Sequence, residues 1–139
     1  MAELSSWNSQ RIEEFRTNKG KIGGPFKDAP MLLLTTTGAK SGKRHTIPLV
    51  YLPDNDRLII FASNAGSPTE PDWYHNIIAH PQVTIEFGTE TFDATATILT
   101  GEERDRLYNK QAKVNPVFAD FQAKTDRVIP VIALQREVG

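Results

Sequence analysis

The chain of 139 residues has no cysteine. Disulfides, thiolate metal sites and a cysteine nucleophile are therefore excluded, and an intracellular reducing compartment is compatible with the sequence. It also lacks any apolar run near the roughly 20 residues that span a bilayer, and its opening MAELSSWNSQ does not have the basic-then-apolar order of a secretory signal. A cytoplasmic protein is expected. Histidine is scarce: His45, His75 and His80 are the three, and the last two stand five apart, not at the i, i+4 spacing of a helix-borne zinc pair. No metal is expected. The carboxylates are scattered and there is no Gly-x-Ser-x-Gly elbow, so neither a paired-carboxylate mechanism nor a serine hydrolase finds its residues here.

Net charge is also small, at −1, but it hides an asymmetry. Residues 1–50 hold eight Lys/Arg against four Asp/Glu, while residues 51–139 hold eight against thirteen. From Arg16 to Arg44 seven cations face the lone Asp28. An anionic partner on that side is one reading and a solvated basic face the other. Nucleic acid is not expected, because the pI is near 6.3 and the basic residues lack interleaved aromatics.

At this length one domain over residues 1–139 is the economical expectation. Leu4, Trp7, Ile12 and Phe15 fall on one side of an N-terminal helix over residues 1–20, followed by a Gly/Pro-rich loop over 21–30. That helix is the one element that offers a peripheral membrane contact, and its few lysines and modest apolar face argue against it. Beyond it, MLLLTTT, TIPLVYL, RLIIFAS, QVTIEF, TFDATATIL and VIPVIAL read as strands separated by turn residues. Pro130 places the start of the last run at an edge. In TFDATATIL the residues Phe92, Ala94, Ala96 and Ile98 face one way and Thr91, Asp93, Thr95 and Thr97 the other. Two helices interrupt the strands. One has Thr69 as its expected N-cap and stops at Pro81, and the other opens on a capping box at Thr100 and breaks at Pro116, with a shorter piece, PVFADFQAK, after it. About six antiparallel strands with flanking helices predict a mainly β protein, a small and partly open barrel.

Two stretches carry the chemistry. TGAKSGKRH packs two glycines, Ser41 and the cations Lys40, Lys43 and Arg44 into nine residues. It is not a P-loop, because three residues rather than four separate the glycines and Arg44 follows the lysine. It reads either as a polar hairpin turn or as an anion cradle in which backbone N–H groups and the cations bind an oxyanion. FASNAGSPTEPDWYHN exposes the small residues Ala62, Ser63, Asn64, Ala65 and Gly66, then presents Trp73 and Tyr74. Small residues leave room for a flat ring and aromatic ones can wall it, although Trp73 and Tyr74 also suit ordinary packing.

LLLTTTGAKSGKRHTIPLVYL, FASNAGSPTEPDWYHNIIAHPQVTIEFG and FADFQAKTDRVIPVIAL together resemble the deazaflavin-dependent nitroreductase family of mycobacteria and related actinobacteria, over about residues 30–134. The resemblance implies a split β-barrel, similar to FMN-binding split barrels, that binds coenzyme F420, a deazaflavin with a phosphate and an oligoglutamate tail. It implies an oxidoreductase in which reduced F420 gives a hydride to a small conjugated acceptor, quinone-like or nitro-aromatic. FMN in the same barrel is the alternative cofactor, and a non-catalytic F420 carrier the alternative function. By the same match Lys40, Ser41, Gly42, Lys43 and Arg44 would hold the phosphate, with Thr46 and Pro48 beside them. Ala62, Ser63, Asn64, Ala65, Gly66, Pro71 and Trp73 would flank the ring and ribityl chain. Ser63, and Tyr74 with it, would be the catalytic donors to the acceptor. Asn115, Phe118 and Phe121 occupy the segment where better-known members carry pocket tyrosines. A pocket with fewer hydroxyls favours a quinone over a nitroimidazole, and leaves Tyr74 and Tyr108 as the nearby phenols.

Overall fold

The computed structural model describes residue 10 and residues 12–17, 31–54 and 56–137. Helix α1 covers residues 12–17; Leu4, Trp7 and the expected 21–30 loop lie outside the described residues. The strands are β1 (Met31–Thr37), β2 (Arg44–Val50), β3 (Leu52–Asp54), β4 (Arg57–Phe61), β5 (Gln82–Phe87), β6 (Glu90–Leu99) and β7 (Val131–Arg136). Helices α2 (Asp72–Ala79), α3 (Gly101–Val114) and α4 (Val117–Ala123) lie between them. All strands join one antiparallel sheet in the order β2-β1-β5-β6-β7-β4-β3.

Ile47 and Leu49 of β2 and Leu58 of β4, from opposite halves of that sheet, pack on the same buried cluster as Leu32, Leu34, Ile60, Ile85, Ile132 and Leu134. They can meet only if the sheet curls. The result is the split β-barrel expected from the sequence, with its inner face as the main core. Truncating one of these buried leucines, Leu34→Ala for instance, should cost about 2–5 kcal/mol. The outer face is covered in two separate places. Phe15 of α1 lies on Met31 and Leu33, which is why MLLL is apolar on both faces instead of alternating. Leu107, Tyr108 and Phe118 of α3 and α4 cover Ile59, Phe61, Leu99, Val131 and Ala133. Between these covers the outer face is polar, and β6 there shows the expected alternation, with Asp93, Thr95 and Thr97 exposed.

Three local expectations are corrected. TIPLVYL is two strands: Val50 pairs with Met31, the first residue of β1, and among the described residues Tyr51 has no ladder partner before Leu52 meets Ile59. The final strand begins at Val131, after Pro130, and lies in the interior of the sheet. Pro130 has no N–H for a ladder, and its carbonyl instead accepts the Ala62 N–H at 3.0 Å. The N-cap of α2 is Pro71 rather than Thr69. Glu70, which precedes a proline, is pushed out of the α region, so the helix starts after it. Thr100 does occupy the N-cap of α3, but its side chain makes no capping bond. Among the described residues no helix is long and apolar enough to cross a membrane.

Candidate ligand site between the basic turn and the Ser63 loop

The hairpin joining β1 to β2 closes on itself. Gly38 N–H donates to Lys43 O at 2.7 Å and Gly42 N–H to Gly38 O at 3.0 Å. Lys43 N–H donates to Ser41 Oγ at 3.2 Å. A Cβ on Gly38 would lie 2.5 Å from Ser41 Oγ and 3.2 Å from His45 Nε2, so a larger residue there would push both side chains aside. The backbone donors expected for an anion are thus largely spent inside the turn. What it presents to solvent is the side chains: Lys40 and Lys43 are exposed, with no ion pair among the described residues, and Ser41 and His45 sit beside them.

Arg44 behaves differently. It is the first residue of β2, paired with Thr37, and its guanidinium lies over the outer face of the sheet. There Nη1 donates to Thr37 Oγ1 at 3.0 Å and Nη2 to Thr84 Oγ1 at 2.6 Å, and Thr84 in turn donates to Asp93 at 3.0 Å. The crowd of three cations read from the sequence is therefore two lysines and an arginine drawn aside by strand register. Thr46, also on the outer face, shares a hydroxyl contact of 2.7 Å with Thr35, and Pro48 is buried in mid-strand. Thr46 lines a shallow cleft of about 400 Å³ with Ile12, Glu13, Arg16 and Thr17 of α1. Arg16, the described end of the basic stretch, donates through Nε and Nη2 to the two carboxylate oxygens of Glu86, at 2.8 and 2.7 Å.

The second stretch leaves β4 as a loop with a single 3₁₀ turn, Asn64–Gly66. Asn64 has a φ of 46° and its side-chain amide holds Thr69 O at 3.0 Å. Gly66 has a φ of 78°, and a Cβ there would come within 2.9 Å of Phe121 O. Both the left-handed backbone and the close approach of α4 demand glycine. Ala62 is buried, while Ser63 is half-exposed and its hydroxyl makes no hydrogen bond among the described residues. Arg127, which carries no local sign of this role, binds the loop from beneath. Its side chain donates to Ser67 O at 2.8 Å, Ser63 O at 2.7 Å, Ala62 O at 3.1 Å and the Glu70 carboxylate.

Helix α2 connects the two stretches. Pro71 caps it at the loop end. Asn76, five residues on and so about 7.5 Å along the axis, takes Ala39 N–H on Oδ1 at 3.0 Å and donates to the buried Thr36 Oγ1 at 3.1 Å. Trp73, expected beside a ring, is 6 % exposed and belongs to the inner core, so it forms the floor under α2 rather than an open wall. Tyr74 is half-buried, and burial together with the Glu70 carboxylate pushes its phenol above the ordinary value. It remains a neutral donor throughout the neutral range.

The segment after α3 is more closed than expected. Phe118 is 6 % exposed, packed edge-on among Phe61, Tyr108 and Phe121. The Tyr108 hydroxyl is not available to a pocket, since it donates to Phe118 O at 2.5 Å and burial raises its pKa. Phe121 is half-buried, with its backbone close to Gly66, and Asn115 is exposed, its Oδ1 accepting Val117 N–H at 3.3 Å. Asn76 and Arg127 are the residues that sequence reading missed. An asparagine inside an amphipathic helix, where its propensity is poor, was the available signal for the first.

A model of the F420H(2)-dependent quinone reductase family matches residues 7–136. An F420H(2)-dependent quinone reductase of Mycobacterium tuberculosis is 39% identical over 126 residues, covering 88% of this chain and 85% of that protein. Among solved structures, an F420-H2 dependent reductase (FDR-A) superposes with a TM-score of 0.70 at 41% identity, over 76% of this chain and 94% of its own. A domain-swapped dimer superposes with a TM-score of 0.72 at 36% identity, over 96% and 98%. The match runs through the basic turn, the Ser63 loop and the last strand alike, and the chain belongs to the F420H(2)-dependent quinone reductase family.

Proposed function

We propose that this protein is an oxidoreductase that uses reduced coenzyme F420 to reduce a small, apolar, quinone-like acceptor. One observation carries the proposal besides family membership: among the described residues Lys40 and Lys43 have no ion pair and the Ser63 hydroxyl no hydrogen bond, and the turn that carries the lysines docks on Asn76 of the helix that follows the Ser63 loop. Lys40 and Lys43 suit a phosphate, and Ser63 with its small neighbours suits a flat ring. When bound, the reduced coenzyme would supply the hydride, and the protein's part would be binding, orientation and charge stabilisation.

In this reading Lys40, Lys43 and the Ser41 hydroxyl take the phosphate, while Gly42 and the Gly38–Lys43 bond fix the turn that carries them. Arg44, Thr46 and Pro48 shape the strand behind it, and Arg44 adds positive potential without direct contact. Ala62, Asn64, Ala65, Gly66 and Pro71 border the ring, with Trp73 as the floor. Ser63 Oγ, which has no competing partner among the described residues, would donate to the acceptor oxygen as charge develops on it. Tyr74, kept neutral, is a second donor on the same side. Phe121, with the buried Phe118 packed behind it, makes the acceptor side apolar, which suits a quinone better than a group that needs several hydroxyl donors.

The test is a fluorescence titration with oxidised F420, with FMN as competitor, followed by turnover of F420H2 with a soluble naphthoquinone. Tight binding that FMN does not displace is expected. Lys40→Ala should weaken it about tenfold or more, the effect of losing a hydrogen bond between charged groups. Preference for FMN would transfer the site to that cofactor. Binding without turnover over a range of quinones would make the protein a carrier.

A further inference from the structure

Arg127 lies between α4 and β7, 64 positions from the serine whose carbonyl it binds. Its own backbone is fixed on both sides. Gln122 Nε2 donates to Arg127 O at 2.7 Å, Arg127 N–H donates to Thr125 Oγ1 at 3.3 Å, and Arg104 of α3 grips Ile129 O through two nitrogens at 3.0 and 2.9 Å. From this rigid base the guanidinium reaches the carbonyls of Ala62, Ser63 and Ser67 and the Glu70 carboxylate. A planar fork with fixed donor directions holds several acceptors in one arrangement, which the single point charge of a lysine cannot do.

The consequence follows from peptide geometry. No peptide bond among the described residues is cis, and in a trans peptide the C=O and the next N–H point in opposite directions. With the carbonyls of Ala62 and Ser63 turned toward Arg127, the amides of Ser63 and Asn64 are turned away from it. The cation therefore decides which surface of the loop carries N–H groups and where the Ser63 side chain sits.

We infer that Arg127 is the positioning residue of the coenzyme loop: by clamping the carbonyls of Ala62, Ser63 and Ser67 it aims the Ser63 and Asn64 amides and the Ser63 hydroxyl at the bound deazaflavin. The inference rests on the F420 reading above. Glu70 is its counter-ion, and the pair is mostly shielded, with 14% and 22% of the two side chains exposed. Replacing the arginine should thus disorder the loop locally without opening the core beneath it.

The experiment uses the full chain with Arg127→Lys and Glu70→Ala. Amide hydrogen exchange is followed in the ligand-free protein, and F420 affinity is measured on the folded fraction. In Arg127→Lys, exchange at Ala62, Gly66 and Ser67 should accelerate about tenfold or more, as for the loss of about one charged hydrogen bond. Amides of β1 and β5 should keep wild-type rates, and F420 affinity should fall by about the same factor. Glu70→Ala should shift both readouts in the same direction and less, because three carbonyl bonds remain. It decides the question alone if Arg127→Lys does not fold. Wild-type exchange and affinity in the folded variants would overturn the inference. Should wild-type protein bind no F420, the coenzyme reading fails. Unaltered exchange would then overturn the clamp as well, and faster exchange would confine Arg127 to holding the loop.

Discussion

The turn from Gly38 to Lys43 and the loop from Ala62 to Glu70 are both short, glycine-containing connections leaving a strand, yet they are held in opposite ways. The turn is closed by its own backbone, with Gly38 bonded to Lys43 and Gly42 to Gly38, and it needs only Asn76 to dock it on α2. The loop has two internal backbone bonds in its 3₁₀ turn and the Asn64 amide on Thr69 O, and takes its outside support from Arg127, the Pro130 carbonyl and the face of α4. A self-closed turn can present long, mobile cations, because a phosphate is recognised by charge from several directions. A loop that must hold a ring and a serine in register with an acceptor needs external fixing, since catalysis by orientation tolerates little displacement.

The sharpest way to break that contrast is Gly66→Ala. An alanine must either adopt the φ of 78° or leave it, and its Cβ would stand 2.9 Å from Phe121 O with backbone on the other side. Strain and overpacking together should cost about 2–4 kcal/mol, visible as a lowered thermal midpoint, and should abolish tight F420 binding. A variant with wild-type stability and affinity would show that α4 does not constrain the loop. Next in size is Phe118→Tyr. It adds a hydroxyl to a ring 6 % exposed in an aromatic cluster, so a loss of about 1–3 kcal/mol is expected, with no gain in nitroreductase activity. Phe121→Tyr, half-buried beside Gly66, is the better site to restore a phenol. If Phe118→Tyr is neutral in stability and gains activity toward a nitroimidazole, that ring lines the acceptor pocket after all.

How much of this could be read in the sequence divides along the same line. The strands, α3 and the break at Pro116 follow from local pattern, and the residue matches that suggested the family run through both stretches. The Tyr51 break was hidden because TIPLVYL is uniformly β-forming. Only the register of Val50 on Met31 shows that its pairing ends there. Arg44 looked like part of the turn because it adjoins Lys43, but pairing with Thr37 turns its side chain to the outer face. Arg127 has no signature at all in its neighbours. Its partners lie 57 to 65 positions away, and only the finished fold brings them together.

Asn76→Ala tests the one support the turn does borrow. It deprives Ala39 N–H and the buried Thr36 hydroxyl of their partner, at a cost of about 1–2 kcal/mol. Because Gly38 and Lys43 still close the turn, F420 affinity should fall only a few-fold, less than for Gly66→Ala. A loss as large as that of the loop variant, in the same titration, would mean that docking on α2 matters more than self-closure.

The smallest expected effect separates the cations within the turn. Arg44→Ala removes bonds to Thr37 and Thr84 on the exposed outer face, where such contacts contribute little to stability. Its influence on a phosphate at Lys40 and Lys43 is only through the field across solvent, which salt screens over about 8–10 Å. Affinity for F420 should drop about two- to threefold at low salt and converge on wild type as salt is raised, against a loss of about tenfold for Lys40→Ala that persists at high salt. If instead Arg44→Ala matches Lys40→Ala at every salt concentration, the guanidinium leaves Thr84 on binding and grips the phosphate directly. The self-closed turn would then be a mobile clamp.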